Sequence, residues 1–257
     1  MLDQPTVNVI TIASKLDDAL FVTLDNVSQQ SYQAIEHIVV YRQASETAIA
    51  RLQNFNHQKH LVFYPETGQG IASAFNDGIN YSQGELVLFL NAGDALVERD
   101  VVERVVQSYQ GQKWLWATGE TISVSRNRLL KKYLKQRASW NQNLFWYGNP
   151  VCHQSTFYTR QLIKQVGLYN ESLAIGMDYD YNVRANVVAS PTLLYFPIAY
   201  YDTTGVSSIR VFKQLRNYRR IRDRYFQLST FNRFKVDTYC LLKSMVRLAM
   251  IPAKLWL

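Results

Sequence analysis

Val7-Asn8-Val9-Ile10-Thr11-Ile12 is a β-branched run between Pro5 and Ser14, and it predicts a buried strand. From Asp17 to Gln30, Leu20, Leu24 and Val27 share one stripe, which predicts a helix. The alternation continues along the chain. Strands are expected at 37–41, 61–64 and 85–90, and helices at 45–55, 71–81 and about 100–109. The strand runs are apolar throughout rather than alternating, as burial on both faces requires. Strands alternating with helices over short links predict an α/β fold with a mostly parallel central sheet covered on both sides. Beyond residue 110 the pattern is looser. Residues 114–118 predict a strand, 161–166 and 178–189 short helices, and 187–201 buried strands. The basic stretch 126–140 predicts either a helix or a mobile loop.

In parallel sheets, ligands sit at the C-terminal ends of the strands. The apolar run ending at Leu90 stops abruptly at Asn91-Ala92-Gly93-Asp94, so a carboxylate on a glycine turn stands at such an end. Mg²⁺ and Mn²⁺ take oxygen ligands, often one or two carboxylates plus a substrate's phosphates. Gly93 lets backbone and substrate approach closely. On spacing alone, a turn residue or a helix cap is the favoured reading of Asp94, because Asn-x-Gly-Asp turns are common.

The 257 residues suit one large domain or a domain with an appendage. Charge separates the two. Residues 209–257 hold twelve Lys/Arg against Asp223 and Asp237, a net of +10 in a chain of net +8, so the first 208 residues sum to −2. A body over 1–208 and a basic helical extension over 209–257 follow. The extension points to a polyanionic partner. From Val236 to Leu248 the apolar positions Val236, Tyr239, Cys240, Met245 and Leu248 are expected on one helical face, with Lys243 and Arg247 on another. That suits a helix lying on an anionic membrane; the alternative is packing on the body or on a second copy in a homo-oligomer. Nucleic acid is disfavoured, because no recognition motif accompanies the charge. Two distant cysteines, Cys152 and Cys240, form no disulfide framework. Met1-Leu2-Asp3-Gln4-Pro5 lacks the basic start of a signal peptide, and no run reaches the ~18 apolar residues of a membrane span. A cytoplasmic chain, peripheral on the inner membrane face, is the expectation.

Four blocks occur in order: "IEHIVVYRQASET", "GIASAFNDGINYSQGELVLFLNAGD", "NPVCHQSTFYTRQLIKQVGLYNESL" and "MDYDYNVRA". Together they resemble the family 2 glycosyltransferases, nearest to bacterial enzymes that build exopolysaccharides such as colanic acid. The resemblance covers roughly residues 7–190. It implies a Rossmann-like A-type glycosyltransferase fold and sugar transfer from a nucleotide-sugar donor to a saccharide or lipid-linked saccharide. It implies that Asp94 binds a divalent metal, Mn²⁺ or Mg²⁺, on the donor diphosphate, and that Asp178 is the catalytic base, with Asp180 in reserve. It implies a donor-binding set of Thr11, Glu46, Glu66, Asn91, Gly93 and His153. A carboxylate base can take the acceptor hydroxyl's proton. A metal offsets the charge gathering on the departing diphosphate. Attack opposite that group inverts the anomeric carbon, so no covalent enzyme intermediate is needed.

The sequence also departs from the family. Tyr41 stands where an Asp usually reads the nucleobase, leaving Glu46 as the nearby acid, and Ser73 replaces a common Asp. A second reading follows from those changes: a catalytically inactive homologue that binds sugar or acts as a scaffold.

Overall fold

The computed structural model describes residues 4–55, 60–124, 131–202 and 211–249. Its first half is the expected alternation: β1 (Val7–Lys15), α1 (Asp18–Ser28), β2 (Ile35–Gln43), α2 (Glu46–Phe55), β3 (Leu61–Pro65), α3 (Ile71–Tyr81) and β4 (Leu86–Phe89). These four strands pair in parallel in the order β3-β2-β1-β4. Asp17 caps α1 by accepting the Ala19 N–H at 3.2 Å. At Gly78 of α3 a Cβ would meet Ile10 Cγ2 at 2.3 Å, so glycine lets the helix lie tight on β1.

The second half is less regular. A two-residue β5 (Ala95–Leu96) precedes α4 (Val101–Gln112) and β6 (Trp116–Val124). Then come β7 (Lys131–Leu134), β8 (Thr156–Thr159), α5 (Arg160–Val166), α6 (Met177–Val188) and β9 (Thr192–Asp202). β8 inserts antiparallel between β4 and β6; β6 and β9 run parallel, and β5 closes the order antiparallel to β9. The sheet is therefore mixed, with its parallel part first. The stretch expected as a basic helix or loop falls partly outside the described residues. Its described portion is the strand β7, held antiparallel on β6.

The two faces of the sheet carry separate cores. One joins Ile10, Phe89 and Tyr158 to Phe75 of α3 and Tyr179 and Tyr181 of α6. The other packs Val9, Leu88 and Phe157 on Val101, Val102 and Val105 of α4. Burying a side chain of this size contributes roughly 1.5–3 kcal/mol.

The C-terminal segment forms α7 (Val211–Tyr225) and α8 (Thr230–Ala249). The boundary expected at residue 208 lies outside the described residues. Tyr218 of α7 contacts the Tyr179 ring of α6 at 4.4 Å between centroids. α8 is joined to α7 by charge: Arg222, 2% exposed as a side chain, pairs with Asp237 and Asp223, each at 2.8 Å. The apolar face expected on α8 divides. Val236 is buried, and the Cys240 thiol faces the Tyr147 carbonyl, whereas Tyr239 and Met245 are exposed. Residues 236 and 240 lie a turn apart and face the body; 245 is rotated well off that line. Phe231, Phe234, Leu241, Leu242 and Val246 also point outward.

Candidate active site

The Asn91–Asp94 turn hangs from the C-terminal end of β4, and α1 holds it. Gly93 takes a φ of +95°, a region that favours glycine. Its N–H is shared between the Ala19 carbonyl and Thr23 Oγ1, both at 3.0 Å. Thr23 donates onward to the Asp94 carbonyl at 2.7 Å. Asp94 is thereby fixed with only 4% of its surface exposed. Its Oδ2 accepts from Gln154 Nε2 at 3.0 Å.

A short 3-10 turn, His153–Ser155, lies against this site. His153 stacks edge-on to Phe75 of α3, and its Nε2 lies 3.1 Å from Asn91 Nδ2. Burial lowers the histidine's pKa, opposed by the charge of Asp178. The ring is therefore neutral near pH 7, and Nε2 accepts from the Asn91 amide. That leaves Asn91 Oδ1 buried with no hydrogen-bond partner. Next door, the Cys152 thiol donates to Gln154 Oε1 at 2.8 Å. Burial pushes its pKa up to about 12. A protonated thiol is a poor nucleophile, so Cys152 orients Gln154 instead.

Asp178 arrives from the other side, in the first turn of α6 and half-buried. Its Oδ2 accepts from Asn149 Nδ2 at 2.9 Å. Asn149 Oδ1 accepts from Asn182, whose own oxygen takes the Tyr158 hydroxyl at 2.6 Å. A line of neutral groups thus ties the carboxylate back to β8. The segment 149–154 touches both acids, Asn149 holding Asp178 and Gln154 holding Asp94. After burial, both carboxylates help raise the pKa of the Cys152 thiol and of the Tyr201 hydroxyl, the latter to about 12. Both acids thus lie within electrostatic reach of the same thiol and hydroxyl.

The other expected residues lie elsewhere. Thr11 is fully buried within β1, its hydroxyl 2.8 Å from His37 Nε2, so it faces a neighbouring strand rather than a donor. Glu46 is exposed in the first turn of α2, with no hydrogen bond or ion pair to the Asn91–Asp94 turn among the described residues. Glu66 is held by both nitrogens of an Arg42 fork, at 2.8 and 2.9 Å, across the ends of β2 and β3. Asp180 is 2% exposed and pairs with Arg184 at 2.9 Å, while Arg184 also donates to the Val166 and Leu168 carbonyls. That pair is structural. Conversely, Gln154, Asn149 and Thr23 position the acids without having been singled out. The first two lie inside the block 149–173 that carried the resemblance; the hydroxyl of Thr23 on α1 gave no signal.

No cluster of three or more His, Cys, Asp or Glu suited to a metal exists among the described residues. A closed all-protein cage is thus absent there. What is present is a carboxylate and a buried, unpartnered amide oxygen on one four-residue turn, with an imidazole beside them. This oxygen-rich partial set fits a hard divalent cation whose remaining positions come from substrate phosphates and water.

A family model described as glycosyl transferase family 2 matches residues 9–166. An uncharacterized glycosyltransferase of Mycobacterium tuberculosis is 30% identical over 234 residues, spanning 88% of this chain and 87% of the relative. A PGL/p-HBAD biosynthesis glycosyltransferase of Mycobacterium bovis is 26% identical over 208 residues, spanning 78% and 75%. Among solved structures, S. aureus TarS 1-349 in complex with UDP-GlcNAc superposes with a TM-score of 0.69 at 13% identity, over 92% of this chain and 71% of that one. The mannosyltransferase PcManGT from Pyrobaculum calidifontis, in complex with GDP-Man and Mn²⁺, gives 0.65 at 18% identity, over 99% and 75%. The chain belongs to glycosyl transferase family 2. It is a glycosyltransferase with the A-type fold, as the four sequence blocks implied.

Proposed function

We propose that this protein is an inverting, metal-dependent glycosyltransferase that moves a sugar from a nucleotide-sugar donor to a saccharide or lipid-linked saccharide in the making of cell-surface polysaccharide or glycolipid. The observation that carries the reading is the approach of Asp94 and Asp178 to the two ends of the segment 149–154. Asp178 accepts the proton of the attacking hydroxyl, and Asn149 keeps its carboxylate aimed while neutral bonding leaves its charge in place. Asp94 and the Asn91 oxygen would hold Mn²⁺ or Mg²⁺, which when bound supplies positive charge against the departing diphosphate. Neutral His153 fixes the Asn91 amide, and Gly93 keeps the turn open to the donor. The relative in PGL/p-HBAD biosynthesis supports a glycolipid product, and the neighbours bound to UDP-GlcNAc and GDP-Man support a nucleotide-sugar donor. The Arg42–Glu66 fork occupies the strand ends where the family reads the nucleobase, so uridine is not assumed. The test is donor hydrolysis and transfer across a panel of nucleotide sugars with Mn²⁺. Turnover that needs both Asp94 and Asp178 supports the reading. Metal-dependent nucleotide binding without turnover of any donor replaces it with the scaffold reading.

The body over 1–208 carries this chemistry, and the extension over 209–257 rests on an anionic membrane surface. On α8, Phe231, Phe234 and Leu242 are 75%, 71% and 58% exposed, with the exposed cations Lys235 and Lys243 at the margins. Apolar side chains bordered by cations suit a helix lying in the headgroup region. No helix among the described residues is long and apolar enough to cross a membrane. Binding to vesicles of phosphatidylglycerol but not phosphatidylcholine is the expected result.

A further inference from the structure

A cavity of about 650 Å³ opens between the loop around Trp146–Pro150 and the helices α7 and α8. Six cations line it against a single carboxylate, Asp237. Asp237 is already engaged by Arg222 and Arg219. Lys235 and Lys243 make no ion pair among the described residues, and both are exposed. Arg222 and Arg219 are also paired with Asp223, so the two lysines supply the charge that an entering anion would meet.

The remaining wall suits a sugar. Trp146, Tyr147, Tyr218 and Tyr239 line it, and the Trp146 indole nitrogen is buried without a hydrogen-bond partner. Tyr147 meets Tyr239 edge-on at 5.3 Å, which fixes the aromatic side. Asn149, the residue that holds Asp178, also lines the cavity. Tyr218 lies against Gly176, two residues before Asp178. The cavity therefore adjoins the carboxylate. None of Asn91, Gly93, Asp94, Glu46 or Glu66 lines it, so its cations do not serve a diphosphate held at Asp94.

We infer that this cavity is the acceptor subsite and that the acceptor carries a phosphate ester, its hydroxyl presented past Asn149 to Asp178 and its phosphate held by Lys235 and Lys243. The inference rests on Asp178 as the base. The phosphate comes either from a lipid-borne saccharide, whose tail would leave along the outer face of α8, or from a soluble sugar phosphate.

Calorimetry on the full chain without donor or metal tests it, with geranyl phosphate against geraniol and glucose 1-phosphate against glucose. The phosphorylated member of at least one pair is expected to bind about tenfold tighter or more, as a charge-assisted contact allows. A tighter geranyl phosphate identifies a lipid-borne acceptor; a tighter glucose 1-phosphate identifies a soluble one. The Lys235→Ala/Lys243→Ala double variant is expected to bring that preference to about twofold or less. Equal binding within both pairs, or a preference unchanged in the double variant, overturns the inference. Donor hydrolysis by the wild-type protein alone reports separately on the transferase reading. Its absence beside a clear phosphate preference would remove the base and keep the anion site.

Discussion

Asp178 at the strand-end site and the C-terminal helical pair treat charge in opposite ways. At the strand ends, Asp178 is gripped by the neutral amide of Asn149, and Gln154 is among the partners of Asp94. Between α7 and α8, charge answers charge: Arg222 is buried among Asp223 and Asp237, and most of the apolar side chains of α8, Val236 apart, turn to the outside. A carboxylate neutralised by a guanidinium has little left to offer a proton or a cation. One aimed by an amide keeps its charge for chemistry. The contrast recurs within one turn of α6, where Asp178 meets an amide and Asp180 meets Arg184.

That turn gives the sharpest way to break the comparison. Asp178→Asn is expected to lower sugar transfer by about 10³-fold or more, with an unchanged melting curve, as loss of a general base does. Asp180→Asn is expected to keep transfer per folded molecule within about twofold while costing about 1–3 kcal/mol of stability, measured by urea unfolding. Should the Asp180 variant be inert and the Asp178 variant active, the two roles are reversed and the rule about amides and guanidinium groups fails with them.

The helical pair supplies the next test. Asp237→Asn removes one of the two carboxylates that neutralise Arg222. Because Asp223 remains and Asp237 is partly exposed, the loss is expected near 2 kcal/mol, below that of a fully buried pair. Loosening is expected at α8 first, read as faster hydrogen exchange there than in β1 or β4. Uniform acceleration across the sheet would mean that α8 is integral to the body.

The same contrast explains what could be read from residues alone. Strands buried on both faces write themselves as apolar runs, so β1 to β4 and the helices between them were legible, as was the turn at Asp94. The partners of the acids were not. Gln154 lies 60 residues from Asp94, and Asn149 lies 29 from Asp178; amides at such separations leave no pattern. Thr11 shows the limit of position without direction, since only the fold shows its hydroxyl turned to His37. β7 was illegible because Lys-Lys-Tyr-Leu becomes a strand only through pairing with β6. α8 misled because apolar periodicity does not say which side faces the protein when ion pairs decide the docking.

Acid distinguishes the halves as well. Burial lowers the pKa of His37 from 6.5 to about 3. Unfolded chains take up a proton below 6.5 that the folded sheet refuses, so this histidine makes stability fall as pH drops from 6.5 towards 3. Between pH 6.5 and 5 the loss is about 1.6 kcal/mol. Urea unfolding of His37→Gln at both pH values is expected to show a shallower fall. An equal slope in the variant would move the acid sensitivity out of the sheet.

The smallest expected effect on the fold is the one that tests the outward face of α8. Phe234 is 71% exposed, so Phe234→Ser is expected to change stability by no more than about 0.5 kcal/mol. Binding to phosphatidylglycerol vesicles is expected to fall about tenfold, since part of a phenyl ring's transfer energy is lost. Val236→Ser, on the buried side of the same helix, should do the reverse, costing stability through a cavity and an unsatisfied hydroxyl. If Phe234→Ser destabilises the monomer while vesicle binding is unaffected, the face is covered by protein. Sedimentation of the wild-type chain would then show whether that protein is a second copy.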